Sequence, residues 1–208
     1  FEGVASTTAV SIGSQVMHML TVMLVGLAMG ATVSIAQATG RGAKKDASAA
    51  IGNTVTLFMS LSVVLLFVLL VLRGSIVSVM STPEEAVSGT LDYLTICFIG
   101  IPFITAYNII ASIFRGLGDS KSPMYFIAVA CVVNIALDYY FMGTLRLGPA
   151  GAALGTTLSQ AVSVVISLAV IRKKQLIAVR RADLHPCRSV MEKLLKIGVP
   201  VALQDGFI

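Results

Sequence analysis

Charge is what this sequence has least of. Only 12% of its 208 residues are charged, against 56% hydrophobic, and the mean hydropathy is +0.91. A soluble domain carries about 25% charged residues, and a soluble fold could not expose or hide this much apolar surface without aggregating. The composition defines an integral membrane protein, for which length is no guide to domain number. Cysteine is scarce too. Cys97, Cys131 and Cys187 are odd in number and lack C-x-x-C spacing, which excludes a disulfide framework and a structural metal site; the two in apolar runs read as packing. No signal peptide is recognisable, since no basic segment precedes a short apolar run with a cleavage site. No Ser-His-Asp arrangement or H-E-x-x-H appears. The strings "GRGAKK" and "RGLGDSK" do not match G-x-x-x-x-G-K-[ST] and follow no strand, so neither is a phosphate loop.

What is present is a series of long apolar runs. A spanning helix needs about 20 mostly apolar residues, and such runs occupy roughly residues 9–38, 51–72, 91–113, 123–143 and 150–171, with another opening near 195. The fold class expected is an all-α, polytopic transmembrane bundle. Gly and Pro punctuate the joints between runs. Thirteen Lys and Arg residues fall on one set of alternate joints (39–50, 114–122 and 172–194 with Lys196), whereas the opposite set holds only Arg73 and Arg146. Excess Lys and Arg marks the cytoplasmic face, so these three loops are expected inside the cell. The pI near 9.3 reflects this excess of cations, and their location in the loops argues against reading it as a nucleic-acid signal. The basic 172–196 stretch has no aromatic residue, and a nucleic-acid site would interleave them. This orientation places Phe1 outside and implies a helix upstream of it. Small residues at four-residue spacing (Gly26 and Gly30; Gly148, Ala152 and Thr156; Gly151 and Gly155) predict close helix contacts.

Ten acidic residues are present, and a carboxylate inside a span costs several kcal/mol unless it meets a partner or a wet cavity. Glu2, Asp46, Glu84, Glu85, Asp119, Asp183 and Glu192 fall in loops, and Asp92 at a helix mouth. Asp138 and Asp205 remain. Asn134 precedes Asp138 by one helical turn and shares its face. Asp138 lies roughly 8 Å below the outer end of its run, and Thr156, on the next run, roughly 9 Å deep. Asn134, Asp138 and Thr156 are therefore expected to converge, offering hard oxygen ligands for Na⁺ or a carboxylate for a proton. The alternative is an interface Asp beside Tyr139 and Tyr140. Asp205, next to Gln204, lies roughly 13 Å into the last run, near Pro200, which removes a backbone donor and can open a kink. It is either functional or part of a polar face near the cytoplasm. His18 is a lone histidine in a Met-rich stretch (Met17, Met19, Met23, Met29), read as packing or cavity lining rather than as a ligand.

"FRGLGDSKSPM" contains a GLGD string that could mark an intramembrane aspartyl protease. That chemistry needs two carboxylates sharing a proton at one depth. Asp119 sits in a cytoplasmic turn and Asp92 on the outer side, so no catalytic residue is assigned.

Together, "FRGLGDSKSPM", "VNIALDYYFMGTLRLGPAGAALGTTLSQ", "GLAMGATVSIAQATGRGAKKDASAAIGN" and "LLKIGVPVALQDGFI" run through nearly the whole chain in an order that resembles the multidrug and toxic compound extrusion (MATE) transporters. The resemblance implies helices two to six and the start of helix seven of a twelve-helix, two-lobed protein. Residues 1–171 would belong to the amino-terminal lobe, 172–194 to a cytoplasmic inter-lobe loop and 195–208 to the carboxy-terminal lobe. It implies export of organic cations and drugs in exchange for Na⁺ or H⁺, with no other cofactor and no nucleic-acid partner. The expected setting is the plasma (inner) membrane, with a monomer as the full-length form. Asn134, Asp138 and Thr156 match positions of an amino-terminal-lobe cation site that normally includes an Asp on helix one. Another branch places its carboxylate on helix seven, at or beyond Ile208 by alignment on Pro200, so Asp205 does not inherit that role. A lipid-linked oligosaccharide flippase of the same superfamily is the alternative, and such proteins line their cavity with Lys and Arg that these spans lack. A purely structural membrane subunit is the third reading, against which the Asn134–Asp138–Thr156 constellation weighs.

Overall fold

The computed structural model describes residues 3–174 and 181–206, and among these the chain is helical throughout, without a strand. Helix α1 spans Val4–Gly40, α2 Lys44–Val79, α3 Glu84–Gly116, α4 Lys121–Asp138, α5 Gly148–Lys174 and α6 Arg188–Gly206. A π-helical segment, Tyr139–Thr144, prolongs α4, and a 3₁₀ turn, Arg181–Leu184, precedes α6. Five of these helices, α1 to α5 with α4 taken to Thr144, are long and apolar enough to cross a membrane. They overrun the apolar runs at both ends. At 1.5 Å per residue α1, α2 and α3 are about 50–55 Å long, well beyond a hydrocarbon core of about 30 Å. Hydropathy detects only the part of a helix that meets lipid; the polar turns beyond it are helical because their backbone bonds are internal. For the same reason α6 begins at Arg188 rather than near 195, so much of the expected inter-lobe loop is helix.

The joints are short. Gly42 (φ +69°) and Gly118 (φ +88°) follow α1 and α3 in the left-handed conformation that a Cβ disfavours. Asp119 caps the start of α4: its Oδ1 accepts the N–H groups of Lys121 and Ser122 at 3.1 and 3.0 Å, and its Oδ2 accepts the Ser122 hydroxyl at 2.6 Å. The GLGD string is thus a turn and a helix cap. Asp92 lies near the opposite end of α3, roughly 36 Å away along the axis, and the protease pair cannot form.

Helix α3 is the hub, packed between α1, α2 and α5 and touching α4. Leu94, Phe98 and Ile101 of α3 meet Met17 and Leu24 of α1, Leu69 of α2 and Ala153 of α5 in the main apolar core. Val64, Phe67 and Val71 of α2 and Val132 and Ile135 of α4 are exposed, as apolar side chains facing lipid should be. The Gly26/Gly30 pair makes the predicted close contact, and its partner is α6. A Cβ on Gly26 would overlap the backbone of Ala202, and one on Gly30 the backbone at Leu194 and Gly198.

The segment before α6 is docked rather than loose. Thr56 Oγ1 donates to the Leu184 carbonyl at 2.8 Å, and the Cys187 N–H donates to Asn53 Oδ1 at 2.6 Å. Gly52 lets the Asp183 backbone lie against α2, where a Cβ would collide with it. All three cysteines are free, and Cys97 is buried as expected. Cys131 and Cys187 are exposed, which corrects the packing reading for Cys131: it borders an open cavity between α4 and α5 instead of packing in the core.

Candidate functional site

The site is built where α4, α5, α3 and α1 leave polar side chains facing one another inside an apolar bundle. On α4, Asn134 Nδ2 donates to Asp138 Oδ1 at 3.3 Å, which leaves the amide oxygen of Asn134 and the second carboxylate oxygen open to a ligand. The helix changes to π-helical winding at Tyr139, directly after Asp138, an irregularity often found at functional sites. On α5, Gly155 gives the carboxylate its seat: a Cβ there would overlap Asp138 Oδ1. Thr156 is the next residue. Its hydroxyl donates to the Ala152 carbonyl at 3.0 Å, so its lone pairs remain available.

Thr156 joins two cavities. One, of about 280 Å³, lies between α1, α3 and α5 and is lined by Ser14, His18, Thr21, Tyr93, Asn108 and Gln160 among others. The second, of about 240 Å³, lies between α4 and α5, with Asn134, Cys131, Tyr107, Ser159 and Gln160 on its walls. Asp138 also opens onto a wider pocket of about 680 Å³ with Thr7, Tyr139 and Thr144. The carboxylate thus lines the outer pocket, while Asn134, bonded to it, lines the cavity between α4 and α5.

The structure accordingly places Asn134 and Asp138 in contact and Thr156 beside the Gly155 that seats Asp138. It places His18 on the cleft wall. Gln204 is exposed on α6 and lines neither cleft cavity, and the Asp205 side chain lies outside the described residues. Several cleft residues were not foreseen. Gln160, one turn after Thr156, lines both cavities with it, and its Oε1 is buried without a partner among the described residues. Tyr93 shares a hydrogen bond with Ser14 at 3.4 Å, made possible by Gly13, where a Cβ would overlap the Tyr93 ring. Asn108 spends its amide on the Ile104 carbonyl at 2.9 Å. The Thr156–Gln160 spacing was a usable signal, because i and i+4 share a helix face; tyrosines and amides in apolar runs are weaker signals, since they bury more cheaply than carboxylates.

Membrane-length helices around an interior polar cleft, with a carboxylate on the adjoining pocket, define a polytopic helical membrane protein. The chain belongs to the MATE family: the MatE family model matches residues 1–140. It is 31% identical to the probable multidrug resistance protein YpnP of Bacillus subtilis (strain 168), over 97% of this chain and 45% of that protein. Two solved structures superpose closely, each at 27% identity. One is described as the inward-facing conformation of a multidrug resistance MATE family transporter of the MOP superfamily (TM-score 0.91, 97% of this chain, 46% of that one). The other is described as an outward-facing conformation (TM-score 0.91, 98% and 46%). The chain spans about half the length of the proteins it matches, and its fold is that of their amino-terminal lobe.

Proposed function

We propose that this chain is the amino-terminal lobe of a multidrug efflux antiporter, which exports organic cations in exchange for Na⁺ or H⁺ by alternating access. The observation that carries the reading is Asp138 on the wall of a wide pocket, bonded to Asn134, which lines a polar cleft whose described lining includes no Lys or Arg. A lone carboxylate beside such a cleft attracts cations, and the open oxygens of Asn134, Asp138 and Thr156 suit Na⁺, while the carboxylate alone suits a proton. Binding there shifts the balance of inward- and outward-facing states only through its differential affinity for them. The equal similarity to both conformations supports a lobe that keeps its fold while transport proceeds. The flippase alternative needs cations in the cleft to hold pyrophosphate, and the described lining supplies none.

The same reading places the protein in the plasma membrane, with loops 39–50, 114–122 and 172–194 at the cytoplasm, working as a monomer. The test is efflux of a fluorescent organic cation by the full-length protein, with Na⁺ and pH gradients imposed separately. Efflux should follow one of the two gradients, and Asp138→Asn should abolish it while membrane insertion is unchanged. Export by Asp138→Asn at the wild-type rate would sink the assignment.

A further inference from the structure

A second polar cavity lies at the opposite, cation-rich end of the bundle, where α1, α2 and α6 meet. It measures about 190 Å³ and is lined by Ser34, Arg41, Asp46, Ser189 and Lys193 together with small apolar side chains. Ser34 is the informative residue. It is 5% exposed, and its hydroxyl has no hydrogen-bond partner among the described residues. Several other buried hydroxyls bond back to their own helix one turn earlier, as Thr54 does to Ala50 and Ser112 to Asn108; Thr105 shares the open state of Ser34 but lines none of the cavities described. An unmade hydrogen bond in a buried group costs about 1–3 kcal/mol, so a donor left open on a cavity wall calls for something in the cavity.

The two cations on that wall are held in place by one residue. Arg41 Nε donates to the Gln37 carbonyl and Lys193 Nζ to its side-chain oxygen, each at 3.1 Å. Arg41 keeps four further N–H donors and Lys193 two. Ser189 lies in the first turn of α6, where the helix dipole favours negative charge. Two cations against the single carboxylate of Asp46 leave the cavity positive. It is smaller than the 300–1,000 Å³ typical of drug-sized ligands.

We infer that this cavity binds the headgroup of an aminophospholipid. The phosphate is held by Arg41, Lys193 and the Ser34 hydroxyl, and the ammonium by Asp46. A phosphate alone would leave Asp46 facing like charge, whereas a zwitterion satisfies both signs. Basic pockets between spanning helices are a recurrent kind of headgroup site. Because the wall is shared by α1, α2 and α6, the bound lipid ties α6 to the lobe. The inference does not depend on what the cleft transports.

The experiment is native mass spectrometry of the full-length protein from nanodiscs of phosphatidylethanolamine or phosphatidylglycerol, with a parallel arm of inorganic phosphate without lipid. Retention of phosphatidylethanolamine should weaken about tenfold for each of Arg41→Gln and Lys193→Gln, as expected for lost charge-assisted bonds. Asp46→Asn should erase the preference for ethanolamine over glycerol headgroups. Ser34→Ala removes no bond of the lipid-free protein, so it should lower lipid retention without lowering delipidated thermal stability. Wild-type retention by the Arg41→Gln/Lys193→Gln double variant overturns the site. Binding of inorganic phosphate that depends on both cations, with no lipid retained, overturns its assignment to a headgroup.

Discussion

Asp138 is held by what its neighbours leave out as much as by what they offer. Asn134 supplies the hydrogen bond, and Gly155 supplies room. Gly155→Ala should therefore act on the carboxylate without touching any polar group. The added methyl displaces Oδ1 at a cost of about 1–3 kcal/mol, to be read as a lower unfolding temperature in detergent, and efflux should fall while insertion persists. Thr156→Ser keeps the hydroxyl and should retain most efflux. Wild-type transport by Gly155→Ala would show that the seat is not needed. At this scale the sequence displayed Asp138, because a carboxylate in a span is conspicuous by its desolvation cost, and with it Asn134 and Thr156 by their spacing. It did not display Gly155 as a seat or Gln160 as shared wall. A glycine's purpose lies in the neighbour that approaches it, and that neighbour is on another helix.

Helices were legible as apolar runs, and their number and order follow from those runs alone. Their ends were not, since the turns that leave the bilayer are polar and carry no hydropathy signal. Which helix meets which was hidden as well: Gly26 and Gly30 announce a close crossing, but nothing local to them names α6. Gly30→Leu should force α1 and α6 apart where backbone meets backbone, lowering stability by at least about 1–3 kcal/mol, measurable as a fall in unfolding midpoint. The docked segment before α6 makes a separate prediction. Asn53→Ala removes the acceptor of the Cys187 N–H and should cost about 1 kcal/mol. Protease should then nick the chain faster between Asp183 and Arg188, and unaltered cleavage would mean that this bond does not hold the segment down.

Over the molecule as a whole, the segregation of Lys and Arg is the feature that gives the bundle a direction. With exposed Cys131 and Cys187 replaced by serine, Lys44→Cys and Glu84→Cys mark opposite ends of α2 and α3. A membrane-impermeant thiol reagent should label Lys44→Cys only in inverted vesicles and Glu84→Cys only in right-side-out ones. Labelling of both from one side would refute the orientation. The close match to both an inward- and an outward-facing structure fits motion between lobes rather than within this one. The α1–α6 crossing carries a consequence for biogenesis. The ribosome delivers α1 before α6, so the glycine groove of α1 must wait in lipid through the synthesis of everything between them. Until α6 emerges, that groove is open to any passing small-residue helix, and a pause in translation within the α5–α6 region would prolong the wait.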